Sequence, residues 1–337
     1  MKNTFYGLAT YLHAGQEKTG LVIGDHVAEI DQALGAAAAI DGQRPHDIGP
    51  SASMLTVLQK WSEVEDCMAT AANYFSSHPE AVDVIDSVPI SDVTLLPPIP
   101  NPGKIINVGL NFYDHAREMG FADLPDDFQP NFFSKGDRRT VIGPGQSIRL
   151  SSSFVDWEAE LAVIIGKTAT RVSVDEAMDY VAGYTCHNDV TDRGLMMKPD
   201  GSLDFFAGKY RDTFAPLGPV LVPREQMPDL GPIRIRCYLN GEVMQDFGLD
   251  QIIWGPAECI AYISSIVTLA PGDVIGLGTG AGTGWAKGIT IGPGEMPKLI
   301  ENMFQGGGRL LRAGDRVGVE IESIGLLENG VERYEQD

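Results

Sequence analysis

Residues 155–167 read VDWEAELAVIIGK. Their second half, Leu161–Ile165, is an unbroken apolar run closed by Gly166, the pattern of a short strand covered on both faces. Ahead of it stand Glu158 and Glu160. Alternate residues of a strand project to the same side, so these two carboxylates share a face. Held close together they repel and raise each other's pKa. A divalent cation between them removes that penalty, and hard oxygen ligands suit Mg²⁺, Mn²⁺ or Ca²⁺ rather than zinc. An isolated E-x-E is ordinarily a solvated strand face, but here the strand that follows is buried in character.

Outward from this run, strand-like segments recur at Ile105–Val108, Ile233–Leu239, Val274–Gly276 and Val317–Ile321. Asn240-Gly241, between RIRCYL and EVMQDF, predicts a hairpin. Helical periodicity is confined to Asp175–Val181 and Pro256–Ser264, so this part of the chain is a β-dominated α+β domain. Residues 1–95 read as a smaller first domain, with strands near Tyr6–Leu12, Gly20–Ile23 and His26–Ile30. Its helical run, 52–76, places Leu55, Leu58, Trp61, Val64 and Met68 three and four residues apart. The proline-dense stretch VTLLPPIPNPGK, 93–104, can continue neither a helix nor a central strand and joins this domain to the main one, 96–337.

Composition limits the function. The 337-residue chain is 43% hydrophobic, enough to bury a core, and its net charge of −21 disfavours nucleic acid, whose phosphates need a basic face. No run of about 18 apolar residues exists, so no membrane-spanning helix is expected. The first twenty residues lack a basic-then-apolar signal design, and the four cysteines, 67, 186, 237 and 259, form no C-x-x-C pair. Both features lead us to expect a cytoplasmic protein without a zinc or disulfide framework.

Two further segments carry chemistry. In GYTCHNDVTDR, 183–193, Asp189 follows a strand-like run and could add a third carboxylate; His187 is a ligand type but reads as structural. In GLNFYDHAREM, 109–119, a helical turn would bring His115 and Glu118, at i and i+3, into contact. A carboxylate beside an imidazole orients it and raises its basicity, which makes a general-base dyad. The glycine string GLGTGAG, 276–282, lacks the following helix that a dinucleotide loop requires and reads as backbone approaching a ligand closely. Residues 118–129, with four acidic residues and few apolar anchors, read as a segment that orders over an occupied site.

Together these segments, with KIINVGLNFYDHAREM, GKYRDTFAPLGP, NGEVMQ and LRAGDRVGVEIESIGLLENGV, resemble in sequence and order the fumarylacetoacetate hydrolase family over roughly residues 104–331. The E-x-E…N-D-V-T combination is its most specific part, and residues 1–95 resemble the small N-terminal domain of longer members. The resemblance implies a β-roll of packed sheets and a homodimer. It implies a Mg²⁺ or Mn²⁺ site formed by Glu158, Glu160 and Asp189, a water-activating pair His115–Glu118, and Lys209 as a cation facing developing negative charge. Thr279, and Arg193 at the end of its segment, are expected to contact substrate. Two positions depart from the family pattern: Met196 stands seven residues after Asp189, where many members have glutamine, and Gly278-Thr279-Gly280 lacks the usual following proline. Residues 283–308 form a long, unusual stretch.

The activity so implied is metal-dependent hydrolysis of a carbon–carbon bond in an acylpyruvate-type 2-oxo acid or 1,3-diketone. The same chelated enolate would serve decarboxylation, keto–enol isomerisation or dehydration of a 2-oxo acid. A metal-stabilised binding protein is the non-enzymatic alternative.

Overall fold

The run after Glu158 forms a strand, Ala159–Ile165, and all seven of its side chains are buried. Alternation explains this: Ala159, Leu161, Val163 and Ile165 enter one hydrophobic core, whereas Ala162 and Ile164 enter another on the opposite face. The strand is thus the middle of three layers in this computed structural model, which describes residues 5–40, 42, 48–49, 51–78, 87–121, 124–125, 127–198 and 202–334.

The first residues build a meander. β1 (Tyr6–His13) and β2 (Gln16–Ile23) form a hairpin through Ala14 and Gly15, both at positive φ, and β3 (His26–Glu29) and β4 (Val88–Pro89) continue the sheet while β5 (Thr94–Leu95) pairs with β1. The helices α1 (Ile30–Ile40), α2 (Met54–Gln59) and α3 (Trp61–Ser77) pack Leu34, Leu58, Trp61, Val64, Met68 and Phe75 into the second core. The periodic run 52–76 is therefore two helices: the chain breaks at Lys60, whose backbone (φ −107°, ψ 18°) is not helical.

The rest of the chain supplies β6 (Ile105–Gly109), α4 (Tyr113–Glu118), β7 (Asn131–Gly136), β8 (Val141–Ile142), β9 (Ser147–Leu150), β10 (Val155–Asp156) and the central β11 (Ala159–Ile165). There follow α5 (Val174–Ala177), β12 (Val181–Asn188), β13 (Thr191–Asp192), α6 (Arg193–Met196), α7 (Phe205–Lys209), β14 (Ala215–Pro223), β15 (Arg234–Leu239) and β16 (Glu242–Gly248). Last come α8 (Pro256–Ile266), β17 (Val274–Gly276), α9 (Met296–Phe304), β18 (Arg316–Ile321) and β19 (Gly325–Arg333).

The main sheet runs β4-β3-β2-β1-β14-β12-β11-β17-β6-β7, so the N-terminal strands extend the same sheet through the β1–β14 pairing. A second sheet, β16-β15-β18-β19-β9, packs Ile235, Cys237, Val317, Val319, Ile321 and Leu327 onto its other face. This is the expected β-dominated α+β arrangement of packed sheets. Asn240 and Gly241, at φ 55° and 84°, turn the β15–β16 hairpin as expected. The helical period at 175–181 ends early: α5 and a 3₁₀ turn occupy 174–180, and Val181 opens β12.

Candidate metal centre and substrate cavity

Antiparallel pairing of β11 with β12 sets Ala159 opposite Asn188 and Glu160 opposite His187. Two further bonds stitch the strand ends together: the Glu158 amide donates to Asn188 Oδ1 (3.0 Å), and the Asp189 amide donates to the Glu158 carbonyl (2.9 Å). The result brings carboxylate oxygens of Glu158, Glu160 and Asp189 within 4.8 Å of one another, all three residues buried. Register, not sequence proximity, makes this cluster.

Three buried carboxylates at such range need counter-charge. Lys209 Nζ reaches Glu158 Oε2 (2.7 Å) and Asp189 Oδ2 (2.5 Å). Lys135, fully buried, reaches Asp189 Oδ1 (2.6 Å), and Arg193 Nη2 reaches Glu158 Oε1 (2.6 Å) while its Nε holds Asp156 Oδ2 (3.0 Å). Burial opposes ionisation of Asp189, but Lys135 and Lys209 overcome it and hold the carboxyl well below its usual range. Burial, with Asp189 and Lys209 pulling in opposite directions, leaves the Lys135 ammonium lowered to about 8. Glu160 is different. Burial first, then the charges of Asp189 and Glu158, push it well above the ordinary carboxylate value against Lys209 and the Gly278 amide, and Asn107 Nδ2 donates to its Oε2 at 3.4 Å. Among the described residues no ion pair reaches Glu160. Four carboxylates, Asp156 included, thus face three cations, and the under-neutralised Glu160 completes an all-oxygen donor set. That set fits a Mg²⁺- or Mn²⁺-like ion.

The His115–Glu118 contact forms as the helical spacing requires: on α4, Nδ1 lies 2.9 Å from Glu118 Oε2. Glu118 also accepts from the Gly282 amide (2.7 Å) and the Thr283 hydroxyl (3.0 Å). Burial works to raise its pKa, but the His115 bond and charge and these two donors bring it below the ordinary value. An ionised Glu118 fixes the proton on Nδ1 and leaves Nε2 as the basic nitrogen.

Two of the expected substrate contacts are already engaged. Arg193 is held by Asp156 and Glu158 and lies 4.7 Å over the Trp285 ring. Thr279 donates to the Ala159 carbonyl (2.8 Å) and accepts from Gln245 (2.9 Å), so toward a ligand its oxygen can only accept. Both nonetheless line the cavity. His187 is structural, as read: Nδ1 donates to the Pro216 carbonyl (2.9 Å), Nε2 accepts from Asn107 (3.0 Å), and burial lowers its pKa to about 4. The glycine string serves close packing within the protein. A Cβ on Gly276 would sit 2.4 Å from Glu160 Oε2, and Gly278, at φ 90°, passes against the Val108 carbonyl.

Sequence reasoning missed Lys135, Asp156 and Gln245. Gln245 accepts from the Ala159 amide and donates to Thr279 and the Gly280 carbonyl, tying the glycine string to the head of β11. Asp156 and Gln245 lie within the segments VDWEAE and NGEVMQ that carry the family resemblance, but the resemblance assigns neither a role; Lys135 lies in none of those segments and is brought in by tertiary packing.

Through Glu158 the cluster borders a cavity of about 250 Å³ that Lys209 and His115 also line. The stretch 283–308 contributes Trp285, which lies against Arg193, and, on α9, Met296 and Ile300 to the lining. Of the segment 118–129, Met119 is buried in the same cluster of side chains and Phe121 stands at the cavity, while residues 122–123 and 126 lie outside the described residues. A larger surface groove of about 770 Å³, between Ser151–Phe154 and Arg312, contains none of the carboxylates.

Comparison with known proteins agrees with this geometry. The family model described as fumarylacetoacetate hydrolase C-terminal matches residues 104–332. The mitochondrial oxaloacetate tautomerase fahd2 of Xenopus laevis is 38% identical over 243 residues, 72% of this chain and 69% of that protein. Among solved structures, maleylpyruvate hydrolase from Sphingobium sp. SYK-6, in complex with manganese(II) and pyruvate, superposes with a TM-score of 0.68 at 25% identity, covering 98% of this chain and 100% of that one. Fumarylacetoacetate hydrolase from Exiguobacterium antarcticum gives 0.71 at 26% identity, covering 97% and 99%.

Proposed function

The chain belongs to the fumarylacetoacetate hydrolase family, and from that premise we propose that it is a divalent-metal enzyme that moves a proton on a 2-oxo acid, interconverting its keto and enol forms. The observation that carries the reading is one cavity lined both by Glu158, the outermost carboxylate of the Glu158–Glu160–Asp189 cluster, and by a histidine whose Nδ1 is fixed by Glu118 at 2.9 Å.

Glu158, Glu160 and Asp189 would hold Mg²⁺ or Mn²⁺. Bound there, the ion would supply Lewis-acid polarisation of the 2-oxo carbonyl. In the enolising direction His115 Nε2 takes the proton from the carbon beside that carbonyl and delivers it to the carbonyl oxygen; in the ketonising direction it takes the enol proton from oxygen and delivers it to that carbon. Glu118 stabilises the imidazolium that forms in between. Lys209, set between Glu158 and Asp189, faces the negative charge that develops on oxygen. The Met119 and Trp285 side of the cavity limits competing water.

The sequence reading put carbon–carbon hydrolysis first. The names of the 38% identical relatives favour tautomerisation instead. Hydrolysis remains the second reading, because the same His115–Glu118 pair can take a proton from water and the similar Sphingobium protein is a maleylpyruvate hydrolase. One panel separates the two. With oxaloacetate and acylpyruvates side by side, with and without EDTA, enol absorbance is followed and the products are identified. Metal-dependent ketonisation with every carbon bond intact supports the tautomerase. Release of pyruvate and a free acid supports the hydrolase. Loss of neither activity in EDTA would overturn both.

A further inference from the structure

Four consecutive residues, 282–285, bind two carboxylates that come from different parts of the fold. The Gly282 amide donates to Glu118 Oε1 (2.7 Å) and the Thr283 hydroxyl to Glu118 Oε2 (3.0 Å). The Gly284 amide donates to Asp156 Oδ1 (2.8 Å) and the Trp285 amide to Asp156 Oδ2 (3.2 Å). Glu118 closes α4, and Asp156 lies on β10. The other contacts of each carboxylate lead to the site. Glu118 Oε2 holds His115 Nδ1, and Asp156 Oδ2 accepts from Arg193 Nε (3.0 Å), whose Nη2 reaches Glu158 Oε1 (2.6 Å). One chain of contacts thus runs from the imidazole, through 282–285, to a carboxylate of the metal cluster.

The backbone can take this course because two of the four residues are glycine. Gly282 stands at φ 103°, and a Cβ on it would lie 2.3 Å from the Met244 carbonyl oxygen. A Cβ on Gly284 would lie 2.5 Å from Asp156 Oδ1 and 2.2 Å from the Arg309 carbonyl oxygen. Asp156 and Thr283 are fully buried, and neither lines the cavity, so neither meets a substrate. Asp156 also accepts from the Trp157 amide (2.8 Å), and its four donors saturate the two oxygens.

From this chain of contacts we infer that residues 282–285 are a crosspiece that fixes His115 relative to the carboxylate cluster, with Asp156 and Thr283 as positioning residues for proton transfer. The inference rests on the function proposed above. Base and metal ligands share no element: α4 is six residues long and belongs to no sheet, whereas Glu160 lies on β11 and Glu158 and Asp189 flank its pairing with β12. A misplacement of about 1 Å between them costs about a hundredfold in rate. The crosspiece also sets the Trp285 ring 4.7 Å from the Arg193 guanidinium, a second contact that holds the arginine against Glu158.

The test uses the whole chain and three readings. They are C3 proton–deuterium exchange in 2-oxobutyrate with Mg²⁺, Mn²⁺ affinity by calorimetry, and the His115 Nδ1–H signal in the NMR spectrum of metal-free protein labelled with ¹⁵N-histidine. Thr283→Val deletes the hydroxyl at nearly constant shape. Its kcat falls by about tenfold or more while KM and Mn²⁺ affinity hold, and Thr283→Ser keeps the rate. Asp156→Asn sets an amide N–H₂ against two of the four donors. Its kcat falls as well, and the His115 Nδ1–H signal moves, although Asp156 does not touch His115. Both substitutions cut one chain of contacts, so the double variant loses little more than the worse single one. Near-normal kcat in Thr283→Val, losses that multiply in the double variant, or an unmoved His115 signal in Asp156→Asn overturns the inference. If Asp156→Asn fails to fold, the Thr283→Val and Thr283→Ser pair decides. Absence of Mg²⁺-dependent exchange in the unaltered protein overturns the proposed function instead, and the His115 signal in the two variants still decides whether the crosspiece holds the imidazole.

Discussion

The charged end and the apolar lining of the cavity are made largely by different parts of the fold. The three carboxylates of the charged end sit at the adjacent ends of β11 and β12, in the middle of a continuous sheet, where backbone ladders and the Gln245–Thr279 bonds hold them. The apolar residues come from α6, α7, α9 and the residues after α4, short helices joined by loops, of which α6 and α7 also carry Arg193 and Lys209 to the charged end and α7 stacks Phe205 on Phe133 of β7. Chemistry that needs charges held within a few tenths of an ångström belongs on the rigid element, whereas apolar lining on connecting segments can change with less disturbance. The two regions should therefore respond differently to substitution.

The largest effect belongs to the charged end. Glu160→Ala removes the carboxylate that lacks a counter-ion, and Mn²⁺ affinity measured by calorimetry should fall by more than about a hundredfold, taking metal-dependent turnover with it. Unchanged affinity would place the ion elsewhere. His115→Ala should lower turnover by about 10²–10⁴-fold while Mn²⁺ binds as before; near-normal turnover would mean that another group carries the proton. Lys135→Met leaves Asp189 short of one buried partner, and the denaturant midpoint should report a loss of about 3 kcal/mol in metal-free protein. A neutral result there would show that the cluster does not depend on its lysines.

The apolar lining should be more tolerant. Ile300 is half-buried, so Ile300→Ala should cost only ~1 kcal/mol by the same denaturation measurement. A loss as large as that of Lys135→Met would erase the contrast between the two regions. The smallest effect concerns Glu118. Its folded pKa is depressed, so the stability it contributes is complete above the unfolded value of about 4.3 and is lost as pH falls through the lower folded value. In Glu118→Gln that part of the acid loss should vanish from a series of denaturation midpoints against pH; an identical acid limb would mean that Glu118 is not held by His115, Gly282 and Thr283.

The same contrast governs how much could be read in the sequence. Glu158 and Glu160 two apart before an apolar run, and His115 and Glu118 three apart, carry their geometry locally, and each pair forms as spaced. β11, β17 and β18 are apolar enough to stand out. β12 is legible only as a short strand-like run before Asp189, because its last residues, Thr185, His187 and Asn188, are polar where the strand enters the site. β14 is hidden by Pro216, Gly218 and Pro219, residues that argue against a central strand, although it lies between β1 and β12. Lys135, 54 positions before Asp189, becomes its partner only through tertiary packing. The apolar lining was the least legible part: residues 283–308 match no simple period, and their role follows from what they cover.

The central claim is that a metal ion at Glu158, Glu160 and Asp189 and a base at His115 act together on the carbon beside a 2-oxo group. Proton NMR of 2-oxobutyrate in D₂O measures that step alone, as replacement of the C3 protons by deuterium. The protein with Mg²⁺ should accelerate the exchange, and EDTA or His115→Ala should each return it to the background rate. Exchange that persists undiminished in EDTA, or in the His115→Ala protein, would contradict the account.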